Sequence, residues 1–574
     1  MDSRLPTRPE NLLYGVEDRP PALTCALLAL QHVSTLLLNT VYLLFALTTA
    51  GIGPEQTMQG IRVGFAVIGI GTLLLCQART HFGSGYLIPW TFSGIHIGAT
   101  LAAARLGGMP LVLGMTLFAG VVEIALSRII GRLRSFFPAE ISGLCVVLVG
   151  LSLGVLGTKL LLGVADGSAA TVPAAEVVLG GGALAMMVGT HVWGGTYLRR
   201  YSPIMGIVCT YLVGLAAGLI DSHALAAIAA APLVALPEWS LHVPRFDPAL
   251  AVPFFAVALA CCLRVMGDVA VSQKVNDRNW VRPEPRTMSA GALADGAATI
   301  LAAGAGCMGG TSNASSVGLA TATGVTARVV GLWIGGLLIT LSALPAAALF
   351  YLSIPRPVLG AAIVFAASFV LVNGLQIVMS RALDARKTLV IGLALTIALS
   401  RNVMPEFYAG LPTALQPYFV SDLAMGLIAA LFLNALFRIG VRSRETVLLP
   451  PDAAAIDTIR AFLEMQGSRW GARRDVLQRA IFGACQSVEA IIEHCGVTGP
   501  ITVEAMFDEY NLDIRLTYDG ELLSLGAEAP SHDEIVSAPD GLLRLAGYLV
   551  RGNADRVQAA VRGGHSVLVL HFDH

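Results

Sequence analysis

Long apolar runs separated by short polar stretches make up most of the chain before residue 440. A helix needs roughly 20 consecutive apolar residues to span the hydrocarbon core of a bilayer. Most of the runs approach or exceed that length, so the pattern predicts helices that cross a membrane repeatedly. Uninterrupted runs lie at 22–49, 62–76, 110–130, 141–163, 177–193, 204–220, 251–271, 288–303, 329–352, 358–379, 388–399 and 422–437.

Two further apolar regions are interrupted by small and polar residues. They read HFGSGYLIPWTFSGIHIG over 81–98 and GAGCMGGTSNASSVGLATATGVTAR over 304–328. A broken segment at membrane depth is tolerated only where it is buried in protein or lines a water-filled cavity, because its backbone polar groups need partners. Paired breaks in two halves are typical of transporters that have inverted repeats and a binding site between them. A helix that restarts near Ser315 and Ser316 would direct free N–H groups into that cavity.

The two broken regions bring the predicted number of crossings to about fourteen. With a cytoplasmic N-terminus, this count places every cluster of Arg and Lys on the cytoplasmic side, as the positive-inside rule requires. We therefore predict an all-α polytopic protein of the inner (plasma) membrane, with two inverted seven-segment repeats and both termini in the cytoplasm. The N-terminal segment would be 1–20 and the membrane domain 21–440. The clusters lie at 128–134, 199–200, 274–286, 381–387 and 438–444.

The apolar pattern ends after Gly440. Residues 441–475 are predicted to be a linker that passes into an amphipathic helix. Residues 476–574 alternate helical and strand patterns, which indicates a soluble α+β domain of ordinary size. The topology count leaves this domain in the cytoplasm, where we expect a regulatory role.

Composition supports the membrane assignment and excludes other classes. Hydrophobic residues make up 55% of the chain and charged residues 13%, whereas soluble domains average about 25% charged residues. The net charge of -1 and the lack of long basic runs give no indication of a nucleic-acid partner. The nine cysteines show no metal-binding spacing, so we predict packing roles for them, with no metal site and no cofactor.

Polar side chains inside the predicted spans are the candidates for function, since ionisable groups at membrane depth are costly. Two of them, Gln31 and His32, are adjacent in the first span, and Glu123 lies in the fourth. Arg264 and Asp268 are one helical turn apart in the eighth, and Asp295 lies in the ninth. Each has an alternative interpretation as a packing residue whose polar group is satisfied inside the bundle.

Several stretches of this sequence resemble the nucleobase-ascorbate transporters, also called the xanthine/uracil permease or nucleobase cation symporter-2 family. The resemblance implies fourteen segments in two inverted repeats, with a core domain that moves against a gate domain. It also implies substrate held between short strands of the third and tenth segments, uptake coupled to H⁺ or Na⁺, and a homodimer in the lipid bilayer. The similar stretches are YGVEDRPPALTCALLALQHV from Tyr14, RLRSFFPAEISGLCVVLVGLSLG, MGDVAVSQ, SAGALADGAATILAAGAG and LSIPRPVLGAAIVF.

The sequence departs from the family pattern at the positions that read the substrate. Family members usually carry Glu in the eighth span where this chain has Arg264. The tenth-segment signature usually offers Glu or Gln followed by Asn-x-Gly, and here it reads Ser315, Ser316, Val317 and Gly318. Where an aromatic residue usually stacks on the base, an ungapped alignment places His96, although a small shift would place Phe92 there.

Arg264 therefore has two interpretations. Its guanidinium suits carboxylate or phosphate geometry and would face a half-helix N-terminus near Ser315, which favours an anionic substrate. Alternatively, Arg264 pairs with Asp268 at i+4 and leaves a nearly neutral pocket. In either case Ser312, Asn313, Ser315 and Ser316 are candidates to bind substrate or to cap the half-helix.

Protonatable side chains supply the candidates for ion coupling. These are Asp268, His32, Glu123 and His96. His96 is also the candidate for the position where an aromatic residue usually stacks on the base. Asp295 and Gln31 are predicted to support the site structurally. We expect a secondary transporter, not an enzyme, for a small purine-like or acidic heterocyclic compound or another organic anion.

Two other functions fit the same residues. The sulfate/anion permeases share an inverted-repeat architecture, a basic residue near the substrate and an appended cytoplasmic domain, so an anion transporter or exchanger is an alternative. A non-transporting sensor is another. The appended domain vaguely resembles the histidine-kinase-like ATPase module, but Glu489 and Glu493 stand in place of the Glu-xxx-Asn motif and the glycine-rich loop is reduced to Asp519-Gly520.

Overall fold

The structure is a computed structural model of the chain. It describes residues 8–9, 12–78, 81–129, 139–164, 173–195, 198–199, 201–220, 222–239, 242–278, 280, 284–379, 383, 385–412, 419, 421–437, 443–452, 454–470, 472, 474–508, 511–523, 525 and 541–573.

The chain folds into two compact units. The first comprises residues 1–380 and 389–432, and the second comprises residues 381–388 and 433–574. Helices make up almost all of the first unit. Six of them (α2, α6, α9, α12, α13 and α15 in the list that follows) have Pro at the first or second helical position, where the missing N–H has no intrahelical partner to lose. The helices are α1 Ala22–Thr49, α2 Pro54–Leu75, α3 Gly94–Ile129, α4 Ala139–Leu161, α5 Ala174–Val192, α6 Ser202–Ala216, α7 Ser222–Ala230, α8 Ala251–Asn276, α9 Pro285–Gly304, α10 Ala314–Thr323, α11 Val329–Ser342, α12 Pro345–Leu352, α13 Arg356–Val378, α14 Ala385–Val403, α15 Pro405–Ala409 and α16 Asp422–Phe437.

The long helix α3 contains a sharp break. Gly107 has φ −151° and Gly108 has φ 64°, and Pro110 follows. The left-handed conformation at Gly108 is unfavourable for residues that have a Cβ, and glycine has none. This element therefore joins the helical part of the predicted third segment to the predicted fourth span.

Within the described residues, seven helices are long and apolar enough to cross a membrane, and eight if the bent pair α11 and α12 counts as one span. The structure is therefore that of a mostly helical, multi-pass membrane protein. Two shorter apolar helices, α6 and α16, fall below the length criterion. The total of about fourteen segments and the inverted repeats stay predictions.

Two short strands interrupt the helices at the broken regions. β1 is Trp90–Phe92 and β2 is Gly310–Ser312. They pair antiparallel, with Trp90 opposite Ser312 and Phe92 opposite Gly310. Their pairing satisfies backbone groups that would otherwise be exposed at the helix breaks.

Glycines allow close contacts between helix backbones. On α13, a Cβ added to Gly374 would stand 2.6 Å from the backbone N of Val147 on α4. On α3, a Cβ added to Gly120 would stand 3.0 Å from the carbonyl oxygen of Gly296 on α9. Small residues at such crossings let helices approach closely, which is the usual basis of helix association in membranes.

Two connecting segments are held against this unit by hydrogen bonds. The N-terminal segment forms a bridge between Tyr14 and Val325, and Thr326 N–H donates to Tyr14 O over 2.9 Å. The connector between the halves is fixed where Ala235 N–H donates to Ala343 O over 2.9 Å. The buried Arg62 of α2 donates to Ala235 O and, over 3.1 Å, to Ser342 O.

The second unit contains a five-stranded antiparallel sheet in the order β3-β4-β5-β7-β6. Side chains that alternate along β4 and β5, such as Ile501, Val503 and Ile514, pack into a core with residues from α17 and α18. The elements are β3 Ser443–Leu449, α17 Ala454–Trp470, α18 Arg474–His494, β4 Ile501–Phe507, β5 Asn511–Tyr518, α19 Gly541–Asn553, β6 Arg556–Arg562 and β7 His565–Asp573.

The predicted linker at 441–475 requires correction. Its residues 443–449 form β3, an edge strand that pairs with β4 along its whole length, from Ser443 opposite Phe507 to Leu449 opposite Ile501. The amphipathic helix expected after it is present as α17. The strand escaped prediction because VRSRETVLL mixes charged and apolar residues at a sheet edge, where only one side of the strand needs partners.

Candidate functional site

The two short strands bring the two broken segments together. The side chain of Thr91 in β1 donates to Leu36 O of α1 over 3.4 Å, and Asn313 N–H donates to Pro89 O over 2.9 Å. Helix α3 begins two residues after β1, and α10 begins two residues after β2. Each strand therefore leads into the N-terminus of a helix, where free N–H groups and the helix dipole favour negative charge.

The N-terminus of α10 is capped by Asn313, whose Oδ1 accepts the N–H of Ser315 over 3.0 Å. The restart expected near Ser315 and Ser316 is thus found at Ala314. Ser315 is exposed, whereas Ser316 is fully buried and its Oγ has no hydrogen-bond partner among the described residues. Gly318 faces open space, one turn further along.

Three side chains from α8 and β2 form a hydrogen-bonded chain. Ser312 Oγ donates to Asp268 Oδ2 over 2.6 Å. Arg264 Nε lies 3.4 Å from the same oxygen. The part of the chain that the structure describes supplies no other partner for the guanidinium, so the two terminal nitrogens of Arg264 keep their donors available. Charge-assisted donors of this kind bind carboxylates and similar anions.

A second group of hydrogen-bonded side chains lies on the other side of β2. Thr311 Oγ1 donates to Asp295 Oδ2 over 2.7 Å, and Thr299 Oγ1 of α9 donates to Gly310 O over 3.1 Å. Asp295 is fully buried, and Glu123 of α3 is buried as well. Successive residues of a strand point to opposite faces, so Thr311 and Ser312 contact different carboxyl groups.

The two candidate aromatic positions already have close protein neighbours. His96 is 1% exposed; its Nε2 lies 3.4 Å from Cys261 Sγ, and its ring lies against the backbone of Gly309, where a Cβ would be 2.5 Å from Nδ1. Phe92 is fully buried and its ring lies against Gly64 of α2. Both rings therefore pack behind the strands in this conformation.

The adjacent pair on α1 is buried as well. Gln31 is 2% exposed and His32 is 1% exposed. Gln31 Nε2 and His32 Nδ1 have no hydrogen-bond partner among the described residues. The structure thus brings Arg264, Asp268 and Ser312 into direct contact. Glu123, Asp295 and the α1 pair do not take part in these hydrogen bonds.

Thr311 and Thr299 are the polar residues that the sequence analysis did not single out. Threonine is common in apolar helices and strands, and its hydroxyl usually bonds to a nearby carbonyl. Only the position of Thr311 beside Gly309 and Gly310, in the middle of a broken segment, could have marked it. Asp295 was predicted to support the site, but its hydrogen bond with Thr311 depends on the strand geometry and could not be predicted.

Comparison with known proteins gives matches over most of the chain. The family model Xan_ur_permease, described as the Permease family, matches residues 23–407. The xanthine permease XanQ of Escherichia coli strain K12 is 26% identical over 452 residues, covering 76% of this chain and 96% of XanQ. The nucleobase transporter PlUacP of Paenibacillus larvae is 22% identical over 420 residues, covering 73% of this chain and 95% of that protein.

Solved structures of two transporters also give matches. The transmembrane domain of a cyanobacterium bicarbonate transporter, BicA, gives a TM-score of 0.46 at 14% identity, covering 72% of this chain and 99% of that chain. The murine anion transporter Slc26a9, in its inward-facing state, gives 0.49 at 11% identity, covering 75% and 71%.

Proposed function

The chain belongs to the Permease family, because the xanthine/uracil permease model matches residues 23–407, and we propose that it is a secondary active transporter. Its substrate would be a small purine-like or acidic heterocyclic compound, or another organic anion. The names of the relatives, a xanthine permease and a nucleobase transporter, support the purine-like part of this proposal. Transport would occur by movement of a core domain against a gate domain.

The exposure and contacts of Arg264 are the observation that supports an anionic substrate. Its side chain is 16% exposed, so the guanidinium is not sealed inside the helix bundle. The contact with Asp268 uses Nε only and leaves the terminal nitrogens free to bind a substrate oxygen. Both interpretations from the sequence therefore contribute: Asp268 orients Arg264, and Arg264 binds the anion.

The N-terminus of α10 would complete the substrate site. We assign substrate contacts to the exposed Ser315, to the unpartnered hydroxyl of Ser316 and to the amide of Asn313, whose Nδ2 has no partner among the described residues. Gly318 leaves room for the ligand. His96 and Phe92 would shape the site from behind through the strands.

Coupling to H⁺ or Na⁺ completes the proposal. Asp268, His32 and Glu123 are the proposed coupling residues, with Gln31 and Asp295 as support. The protein would act as a homodimer in the inner membrane, with cytoplasmic termini and a C-terminal regulatory domain, and would not be an enzyme.

A second candidate function is an anion transporter or exchanger, which the cationic Arg264 also favours. A sensor that binds substrate without moving it is the third. These two functions differ from the secondary transporter in the ligands that would bind and in whether binding leads to transport.

The test is ligand-induced thermal stabilisation of the purified full-length protein, followed by uptake into proteoliposomes. The ligands are xanthine, uracil, urate, benzoate and sulfate. Stabilisation and uptake of xanthine or urate would support the first function. Stabilisation by sulfate alone would support the exchanger, and binding without uptake would support the sensor.

A further inference from the structure

An open apolar groove lies on the surface of the membrane unit, between α1 and α11. Its volume is about 580 Å³. Ala26, Ala29 and Leu30 line it from α1, and a stripe of residues from Leu332 to Thr340 lines it from α11. Residues three and four apart lie on the same face of a helix, so each helix contributes one continuous face to the groove.

The groove has the length of one leaflet of a bilayer. Leu332 and Thr340 lie about 12 Å apart along the helix axis, and one leaflet of hydrocarbon is about 15 Å deep. Both helices begin at the same end of the groove, because Tyr14, before α1, is bridged to Val325, before α11. Trp333 lies near that end, and tryptophan is enriched where the hydrocarbon meets the headgroups. The groove therefore fits an acyl chain that extends inward from this end.

Two arginines lie at the end of the groove where both helices begin. Arg328 directly precedes α11 and has helical φ and ψ angles of −62° and −21°, so it lies one turn before Leu332 on the same helix face. Its backbone N–H donates to Val16 O over 3.1 Å, which fixes it beside the segment that leads into α1. Arg19, just before α1, is exposed, and its side chain has no partner among the described residues. Positive charge is thus placed next to the apolar lining.

The acidic residues at this end do not neutralise both arginines. Arg328 pairs with Glu17 at 2.5 Å, but the side chain of Glu17 is 73% exposed, and ion pairs between exposed groups contribute little. Asp18 is paired with Arg8 at 2.9 Å. A phosphate group can therefore replace Glu17, because the guanidinium fork of Arg328 suits phosphate oxygens. Arg19 supplies a second positive charge to the same group.

The charge at the end of the groove decides which occupant fits. The apolar lining alone does not, because lipid tails are as apolar as the side chains of a membrane helix. A second copy related by a two-fold axis along the membrane normal would bring the same ends of α1 and α11 together, and the arginines of the two copies would repel each other. An anionic phospholipid supplies an acyl chain for the groove and a phosphate group for the arginines.

We propose that the groove between α1 and α11 binds an anionic phospholipid. Its acyl chain lies along the stripe from Leu332 to Thr340, and its phosphate group is held by Arg328 and Arg19. Since Arg328 belongs to the segment that is hydrogen-bonded to residues 14–16, the bound lipid also stabilises the contact between that segment and the N-terminal residues. The inference goes beyond the proposed transport function and does not depend on it.

The first experiment measures lipid retention by the purified full-length protein in detergent, with native mass spectrometry and without any substrate. Phosphatidylglycerol and phosphatidylcholine with identical acyl chains are offered at equal concentrations, and the wild type should retain more phosphatidylglycerol because only this lipid has a net negative charge. Arg328→Gln should lower its retention about fivefold, the factor that one arginine near an anionic lipid surface contributes.

Arg479→Gln is the matched control for this experiment and should behave like the wild type. Arg479 pairs with Asp555, and its side chain is 38% exposed, compared with 35% for Arg328. Equal retention of the two lipids by the wild type would overturn the proposal. Retention of phosphatidylglycerol by Arg328→Gln at the wild-type level would also overturn it.

The second experiment fills the groove. Gly336 is exposed, and no heavy atom lies within 4 Å of a Cβ added there, so Gly336→Leu occupies the groove without a clash. Gly392→Leu on α14 is the control, because Gly392 is also exposed and its added Cβ is equally free of neighbours. Gly336→Leu should lose most of the bound phosphatidylglycerol and Gly392→Leu should keep it. Unchanged retention by Gly336→Leu would show that the lipid lies elsewhere and would refute the proposal.

Two further measurements test the other occupants. Phosphatidylglycerol should raise the melting temperature of the wild type, and inorganic phosphate at the same concentration should not. Equal stabilisation by both would identify a site for free phosphate and reject the lipid. The wild type and Gly336→Leu should also have the same oligomeric state. A dimeric wild type and a monomeric Gly336→Leu variant would assign the groove to a second copy of the chain, against the proposal.

Discussion

Arg264 and Asp268 lie one turn apart on α8, and Arg264 Nε is 3.4 Å from Asp268 Oδ2. This oxygen also accepts the hydroxyl of Ser312 at 2.6 Å. The carboxylate thus fixes the guanidinium at one edge and leaves the other edge free, which is the arrangement of an oriented anion receptor.

Replacement of Arg264 by Gln should weaken binding of an anionic substrate by about 10- to 100-fold, because a hydrogen bond to a charged group contributes roughly 1.5–3 kcal/mol. Arg264→Lys should retain part of the affinity, since Lys keeps the charge but loses the planar fork. Thermal stabilisation by urate measures both effects. Arg479→Gln is the control, because Arg479 pairs with Asp555 in the second unit. Equal affinity of wild type and Arg264→Gln would assign Arg264 to internal pairing only.

Ser312→Ala should lower stability and Ser316→Ala should not. Loss of the Ser312 hydroxyl leaves the buried Asp268 without one of its donors, which costs about 1–3 kcal/mol. Ser316 Oγ has no partner among the described residues, so its removal breaks no such bond. Thermal unfolding of the two variants in detergent measures the difference. Ser316→Ala should instead weaken substrate binding, and an unchanged affinity would remove Ser316 from the site.

Gly374→Ala should destabilise the membrane unit by about 1–3 kcal/mol, since overpacking forces helices apart. The added Cβ would stand 2.6 Å from the backbone N of Val147. Gly181→Ala on α5 is the matched control, because no heavy atom lies within 4 Å of its added Cβ. The melting temperature should fall for the first variant and stay the same or rise for the second. A similar melting temperature for both would show that α4 and α13 separate freely.

The cysteines of the second unit should alkylate slowly at neutral pH. Burial raises the pKa of Cys485 and of Cys495 above the usual range, so less thiolate is present below that range than in a free thiol. The rate of reaction with iodoacetamide should keep rising at pH values where an exposed thiol has reached its plateau. The protein in denaturant is the control, in which both cysteines should react at the ordinary rate. Fast labelling of the folded protein would mean that these thiols are accessible.

The broken segments were the most predictable part of the site. Glycine, serine and asparagine between apolar runs located the restart of α10 within two residues, because Asn and Ser are favoured at helix N-termini. The i+4 spacing likewise identified the contact between Arg264 and Asp268, since it depends on one helix alone.

Contacts between distant segments could not be predicted in the same way. The burial of Glu123 and Asp295 depends on how α3 crosses α9. That crossing follows from Gly120 and Gly296, which resemble many other glycines in the sequence. The burial of Phe92 and His96 depends on strand pairing that only three residues on each side define. The kink at Gly108 and the edge strand β3 were missed because one glycine and one mixed segment give weak local signals.

The pairing of Tyr14 with Val325 has a practical consequence for anyone who handles this protein. The residues before the first helix are hydrogen-bonded to the segment that leaves α10, the same helix whose N-terminus faces the proposed substrate. A fusion partner or affinity tag attached directly before Tyr14 would therefore lie next to the hydrogen bonds between Tyr14 and the segment at Gly324 and Thr326. A reporter therefore belongs at the other end of the chain, and any tag placed at the first residues should be removed before binding is measured.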